Sequence, residues 1–163
     1  MRKMKGIATL SKRDARAVLS KIEETWPFKV TISSSLKEAK VDQRRRILIL
    51  DDWMAAQLDD DIVPFLGSYD LLKHFPAVIV DAGAVPHICN GADIMRPGIL
   101  EAEGSFGKGC IICVRENRYQ KNIASGITLL SKEEALAAKK GAIVKNVHYV
   151  GDIFWNSAKS IRI

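Results

Sequence analysis

The chain is poor in cysteine, histidine and long apolar runs, and each scarcity removes a class of function. Three cysteines in 163 residues are an odd number. With no leader that runs from charged to apolar to small residues at the start, they imply reduced thiols rather than a disulfide framework. No stretch approaches the ~18–20 apolar residues that cross a bilayer, so the expectation is a cytoplasmic protein without membrane contact. Cys110 and Cys113 have C-x-x-C spacing, and "HIC" at 87–89 adds a histidine and the third cysteine. Residues three apart on a strand, however, point to opposite faces, and no second C-x-x-C completes a zinc ribbon. Neither a metal nor another cofactor is expected. His74, His87 and His148 sit beside no Ser or Cys nucleophile pattern. "DDD" at 59–61 lacks the spaced partners of a hydrolytic metal site, and the alternation and sixth-position glycine of a calcium loop. No catalytic residue is expected.

What the chain has is enough apolar residue, 47%, to fill the core of one ordinary domain or two small ones. It also has segregated charge. Residues 1–46 carry thirteen Lys or Arg against five Asp or Glu, residues 47–75 one against six, and residues 76–163 eleven against eight, giving the net +6. A basic surface implies an anionic partner, and a separate acidic one a different partner. Arg44, Arg45 and Arg46 are the sharpest electrostatic feature, readable either as a solvated strand edge or as a phosphate contact.

The first half has the pattern of a small α/β unit. A strand is expected over Lys5–Leu10. A helix follows, capped by Ser11, with its apolar stripe at Ala15, Val18, Leu19 and Ile22 and its stop at Pro27. "FKVTIS" alternates as a half-buried strand does, "ILIL" at 47–50 has the continuous apolar pattern of a buried one, and "LDDWMAAQLDDD" is taken as a hairpin. "SYDLLKHFP" predicts a short helix with Ser68 as cap and Pro76 as stop, and the domain boundary falls there. From residue 76 the texture becomes short apolar strands punctuated by glycine: "AVIVD", "ADIMRPGI", "CIICVRE", "NIASGITLL", "AIVKNVHYV" and "DIFW". Between them lie the short helix "AVPHICN" and a helix with the capping box Ser131/Glu134 and Gly141 as terminator. Many short strands with few helices indicate a small barrel-like β domain. Trp26, Trp53 and Trp155 are assigned to the core.

The glycine at 91 leaves the backbone bare in "DAGAVPHICNGADIMRPGI", so that another backbone can approach and freed amides can meet a phosphate. This stretch resembles the signature of the PUA domain, a strand, "GA", a short helix, then "GA(D/N)(I/V)M.PGI", here Gly83-Ala84 and "GADIMRPGI". "GAIVKNVHYVGDIFW" at 141–155 resembles the closing segment of one PUA subgroup. That subgroup comprises translation proteins related to the T-cell-lymphoma-amplified protein that partners density-regulated protein, together with its ligatin-like relatives. "VPFLGSYDLLKHFPAVIVDAGA" resembles the subgroup's junction between a pre-PUA domain and the PUA barrel.

The resemblance implies an α+β protein, with a pre-PUA α/β domain over residues 1–75 and a mixed β pseudobarrel, the PUA domain, over residues 76–163. It implies RNA binding without catalysis, in translation, at the small ribosomal subunit. The expected contacts are with ribosomal RNA or the tRNA acceptor end, through Asn90, Gly91, Ala92 and Asp93 in the loop, Met95 and Arg96 on the next strand, and Lys145 and His148 on the closing strand. A guanidinium at Arg96 can clamp a phosphate in bidentate fashion. Lys108, Arg115 and Arg118, with Lys121 and the interleaved Tyr119, form a second basic cluster suited to single-stranded nucleic acid. The acidic segment 51–61 would face a protein partner of density-regulated type carrying an initiation-factor-like domain. The alternative is an accessory factor that holds RNA for a separate tRNA or rRNA modification enzyme, since residues 1–75 are too few to be that enzyme.

Overall fold

The structure, a computed structural model, describes residues 6–161. Lys5, where the first strand is expected to begin, and the outermost ends of the two expected domains lie outside the described residues.

Helix α1 (Lys12–Thr25) starts as expected, with Ser11 Oγ accepting the N–H of Asp14 at 3.1 Å, and ends at Trp26 before Pro27. It buries Val18 and Ile22 against a five-stranded antiparallel sheet in simple chain order. The strands are β1 (Ala8–Thr9), β2 (Lys37–Lys40), β3 (Arg45–Leu50), β4 (Trp53–Leu58) and β5 (Asp61–Pro64). The acidic segment makes two hairpins: Leu50 pairs with Trp53 and Leu58 with Asp61. Asp51 and Asp59 take left-handed φ values of 55° and 54° in the two turns, a conformation that aspartate tolerates better than most residues.

"FKVTIS" is not a strand. Phe28, Val30 and Ile32 are half-buried against the core while Lys29, Thr31 and Ser33 are exposed, so the alternation recorded burial without ladder pairing. The strand lies instead at β2, "KEAK", where Glu38 is buried because its carboxylate takes the Arg46 Nη1 at 2.6 Å.

The second sheet has six strands: β6 (Ala77–Val80), β7 (Ile94–Met95), β8 (Ile99–Glu103), β9 (Ile111–Glu116), β10 (Asn122–Thr128) and β11 (Ala142–Tyr149). Their order is β7-β11-β10-β9-β6-β8, with β6 and β9 parallel and the other pairs antiparallel. Laid flat, its edges would stand ~24 Å apart at ~4.8 Å per strand. The edge strands β7 and β8, however, are joined by one 3-10 turn, Arg96–Gly98, and four Cα steps from Met95 to Ile99 reach ~15 Å at most. The sheet is therefore curled into a pseudobarrel that the chain itself closes, and "ADIMRPGI" contributes to both edges rather than forming one strand.

Four short helices complete the fold: α2 (Tyr69–Leu72), α3 (Val85–Ile88), α4 (Lys132–Ala137) and α5 (Ile153–Ala158). The capping box of α4 is present, with Ser131 and Glu134 bonded reciprocally. The helix ends at an extended Ala138, and Gly141, φ +94°, lies three residues later at the entry to β11, so it does not terminate the helix. Ser68 does not cap α2; its Oγ accepts the Met54 N–H at 3.0 Å. "DIFW" is helical rather than a strand, because Gly151 (φ +88°) breaks the chain direction and Asp152 then accepts the Trp155 N–H at 2.8 Å as an N-cap.

Two apolar clusters hold these parts. One fills the barrel, around Val78, Val80, Ile112, Val114, Ile143 and Val144. The other unites the first sheet and α1 with the barrel's outer face: Ile47, Leu48, Ile62 and Leu71 pack in one cluster with Ala77, Ile79, Ile111, Cys113, Val147 and Phe154. Each large side chain so buried stabilises the fold by ~1.5–3 kcal/mol before entropy is counted. Cys113 lies in this shared cluster and Cys110 packs against the other, so the C-x-x-C pair is split between faces. Among the described residues no group of three His, Cys, Asp or Glu side chains is placed to hold a metal ion, and no helix is long and apolar enough to cross a membrane.

Candidate nucleic-acid interface

The glycine loop leaves α3 with its amides already used. The N–H groups of Asn90, Gly91 and Ala92 donate to the carbonyls of His87, Ile88 and His87 at 3.0–3.1 Å. These amides therefore do not form the free phosphate cradle that a bare glycine turn allows. What the loop presents is surface: Asn90, Gly91, Ala92 and Asp93 are all exposed, with Gly91 at φ +96°.

The closing strand fixes that surface. Asn146 Nδ2 donates to the carbonyls of Ile88 (3.0 Å) and Ala92 (2.9 Å), and its backbone N–H donates to Asp93 Oδ1 at 3.0 Å. Tyr149 closes over the glycine, where a Cβ at residue 91 would stand 3.4 Å from the phenol oxygen. Asn146 and Tyr149 thus clamp the loop from one strand, and they explain the polar letters of "NVHY". Sequence reasoning missed Asn146, whose partners lie more than fifty positions away.

His148, between them, faces the other way. It is fully buried, its Nδ1 2.8 Å from Asp152 Oδ2 and its Nε2 accepting the Leu66 N–H at 3.1 Å. The ring stacks on Phe65 at 5.2 Å and 13°. An imidazole that accepts at Nε2 and donates at Nδ1 is neutral, and a fully buried one cannot contact RNA. The expectation for His148 is thereby corrected: it latches the barrel to the end of the first sheet. Ser125 Oγ donating to Pro64 O at 3.0 Å reinforces the same joint.

Arg96 is also a positioning residue. Its Nε donates to Ala138 O (3.0 Å), Nη1 to Ile99 O (3.0 Å) and Nη2 to Leu136 O (3.4 Å). The guanidinium is occupied by three carbonyls, two of them at the end of α4, instead of standing free to clamp a phosphate. With the Arg96 N–H on Gly141 O at 2.8 Å as well, the exposed Lys139 and Lys140 are bracketed by Arg96 contacts at Ala138 and Gly141. The two lysines ahead of the glycine that opens the closing strand were the sequence signal not taken up.

The remaining basic residues are spread out. Lys145 pairs with Asp61 at 2.8 Å, which raises its pKa and ties β11 to β5. Arg115 pairs with Glu103. Arg118 is exposed at the β9–β10 turn, and Lys108 is exposed beside Cys110 and Thr128 at the other end of that hairpin, ~20 Å away at the rise of a six-residue strand. The Arg44–Arg46 run is paired throughout: Arg44 with Asp59 (2.7 Å), Arg45 with Asp42 (3.0 Å), and Arg46 with Asp14 (2.7 Å) and Glu38 (2.6 Å). The hydrogen bond from Arg46 holds the Asp14 carboxyl below its usual range, and that from Arg44 does the same for Asp59. These groups line an open groove of about 1090 Å³ against α5, in which positive and negative side chains are nearly balanced.

Comparison with known proteins follows the same outline. The PUA domain family matches residues 76–150. Over 153 residues the chain is 34% identical to an uncharacterized protein of Methanocaldococcus jannaschii, covering 90% of this chain and 93% of that one. The chain belongs to the PUA-domain family. Its PUA segment begins at β6 and ends one residue beyond β11, which places the glycine loop, Arg96 and the "NVHY" clamp inside the family match. Translation machinery-associated protein 20 of Saccharomyces cerevisiae is 26% identical over 144 residues, 83% of this chain and 80% of that one. A crystal structure of a hypothetical protein of Pyrococcus horikoshii superposes with a TM-score of 0.75 at 31% identity, covering 92% of this chain and 98% of that one. The likeness thus extends over the five-stranded sheet as well as the PUA barrel.

Proposed function

We propose that this PUA-domain protein binds RNA without catalysis in the translation machinery, acting at the small ribosomal subunit in initiation or recycling through ribosomal RNA or the tRNA acceptor end. The observation that carries the reading is the glycine loop 90–93, held at the surface by Asn146 and Tyr149, in a chain whose relatives include a protein named for the translation machinery. Loop and strand give a fixed shape, and Lys139 and Lys140, bracketed by the Arg96 contacts at Ala138 and Gly141, give phosphate contacts. The exposed Lys108 and Arg118 contribute longer-range attraction, to which Arg115 and Lys145 add only by exchanging Glu103 and Asp61 for phosphate, so affinity falls steeply with salt. Asn90, Gly91, Ala92, Asp93 and Met95 are assigned to the contact surface, and Arg96 and His148 to its support.

The chain is divided here at residues 75 and 76, between a pre-PUA sheet domain and the PUA barrel. The former is proposed to carry the protein partner of density-regulated type. Its acidic turns are the surface for this, although Asp59 and Asp61 are already paired with Arg44 and Lys145.

The test is cosedimentation with purified small subunits, with and without tRNA, over a salt series, together with sequencing of RNA crosslinked to the protein. Retention that weakens with salt, and enrichment of small-subunit rRNA with tRNA 3′ ends, is expected. Enrichment of free tRNA or guide RNA without rRNA would replace this reading with that of a modification accessory factor. No retention of any RNA at low salt would remove the RNA-binding function.

A further inference from the structure

The β9–β10 hairpin ends in a turn built with more care than a solvent-facing connection needs. Glu116 is 7% exposed, and its carboxylate takes the backbone N–H groups of Tyr119 (2.7 Å), Arg118 (2.8 Å) and Lys121 (3.1 Å). A carboxylate costs free energy to bury unless such donors replace its water. The Asn117 N–H reaches Val80 O at 3.0 Å, pinning the turn to β6, and Gln120 Nε2 holds Asn117 O at 2.8 Å. Gln120 sits at φ 57°, a left-handed conformation that costs a residue with a Cβ ~1 kcal/mol or more.

This rigid collar presents an aromatic ring to water. Tyr119 is 67% exposed, and the Arg118 guanidinium lies over its ring, 5.3 Å from the centroid. Residues 117–121 contain no acidic side chain. Tyr149, which closes over Gly91, pairs with Ala124 near the turn end of β10, so the glycine loop and the Tyr119 turn lie towards the same end of the barrel.

We propose that Tyr119 is a base-stacking platform for single-stranded RNA, with Arg118 covering one face of the ring and contacting the adjoining phosphate while a base stacks on the other. This rests on the RNA-binding reading above and adds a residue that reads a base face, where the basic residues read only phosphate. Aromatic stacking suits a strand without fixed sequence, because every base has a π-face.

The probe is a fluorescein-labelled single-stranded RNA ending in CCA, compared with the same strand annealed to its complement, by anisotropy over a salt series. Tyr119→Ala is expected to weaken single-strand binding about ten-fold, within the range for one stacked base, with the slope of log K against log salt unchanged. Tyr119→Phe is expected to bind as wild type, and Arg118→Gln to lower the slope by about one. Tyr119 is exposed, so both of its variants should melt with wild-type circular dichroism. Wild-type affinity in Tyr119→Ala, while the wild-type protein binds the probe, overturns this proposal and leaves the RNA reading standing. Wild-type protein that binds neither strand nor duplex overturns both. Loss of a protein partner in Tyr119→Ala with RNA affinity intact overturns it in favour of a protein-docking tip.

Discussion

Replacing His148 separates a structural role from a surface role more sharply than any other change. In His148→Ala, the Leu66 N–H loses its acceptor in a place where Leu66 is 2% exposed; an orphaned buried donor costs ~1–3 kcal/mol. The ring that stacks on Phe65 and meets Phe154 edge-on at 5.6 Å is lost as well, leaving a cavity worth ~2 kcal/mol at the low end of large-to-small changes. The sum, ~3–5 kcal/mol, is a fifth or more of a typical domain's ~5–15 kcal/mol. It should lower Tm by ~6–20 °C at ~2–4 °C per kcal/mol for a chain of this size. His148→Gln places an acceptor near the former Nε2 and should recover part of the loss. Urea denaturation gives the free energies, and amide exchange at Leu66 localises them. His148→Gln, once folded, should bind RNA as wild type does. Unchanged stability in His148→Ala together with lost RNA affinity would refute the latch and restore His148 to the binding surface.

Arg96→Ala removes three bonds to carbonyls and should cost ~1–3 kcal/mol of stability and loosen residues 136–140; an unchanged Tm with a salt slope lowered by one would make Arg96 a phosphate contact after all. Asn146→Ala frees the glycine loop, and RNA affinity should fall several-fold while the melting temperature drops by only a few degrees; equal affinity in filter binding would detach the loop from function. Gly91→Val forces a β-branched residue to φ +96° and against Tyr149, and should damage RNA binding at least as much. Asp51 gathers the Ser34 and Ser33 hydroxyls and N–H groups, which hold its pKa down at about 2, below the ordinary ~3.9 of an aspartate. Its folded value lies below the unfolded one, so its contribution is complete above pH ~4 and is lost as pH falls towards 2; Asp51→Asn should flatten the acid limb of the stability curve in that window.

How far the sequence could be read depends on how local the determining contacts were. Ser11 and the Ser131/Glu134 box act within three residues and are visible as letters. "GADIMRPGI" is visible because glycine and proline fix backbone geometry regardless of context. "FKVTIS" misled because alternation reports which side chains are buried, and a segment lying over a core without ladder bonds shows the same alternation. "DIFW" misled because its apolar letters outweighed one aspartate in a cap position. The arginine triplet was legible as charge, and so was Asp42 three residues before Arg45, but the rest of its neutralisation was not: Asp14, Glu38 and Asp59 come from a helix, a strand and a turn that only the fold brings together. His148 and Asn146 belong to the same class, since Leu66, Ile88 and Ala92 are distant in the chain.

The five residues from Lys145 to Tyr149 show why those long-range contacts matter to function. Lys145 reaches Asp61, Asn146 takes the loop carbonyls, Val147 enters the shared core, His148 takes the Leu66 amide, and Tyr149 lies over Gly91. Side chains alternate along a regular strand, but the register of β11 on β10 shifts between Asn146 and His148, with Val147 as the extra residue. Val147 and His148 both turn to the first sheet while Asn146 and Tyr149 turn to the glycine loop, so one strand grips two bodies at once. The loop's position relative to the first sheet is then set by strand geometry and not by a linker. A ligand that touches both pays no entropy for aligning them. If that stiffness matters, breaking the grip on one side alone, as His148→Ala does, under conditions where it stays folded, by removing the acceptor of the Leu66 N–H, should leave affinity for a short RNA intact. Affinity for the whole small subunit, which can engage both surfaces, should fall; equal losses for the two ligands would show that the loop binds independently of the sheet behind it.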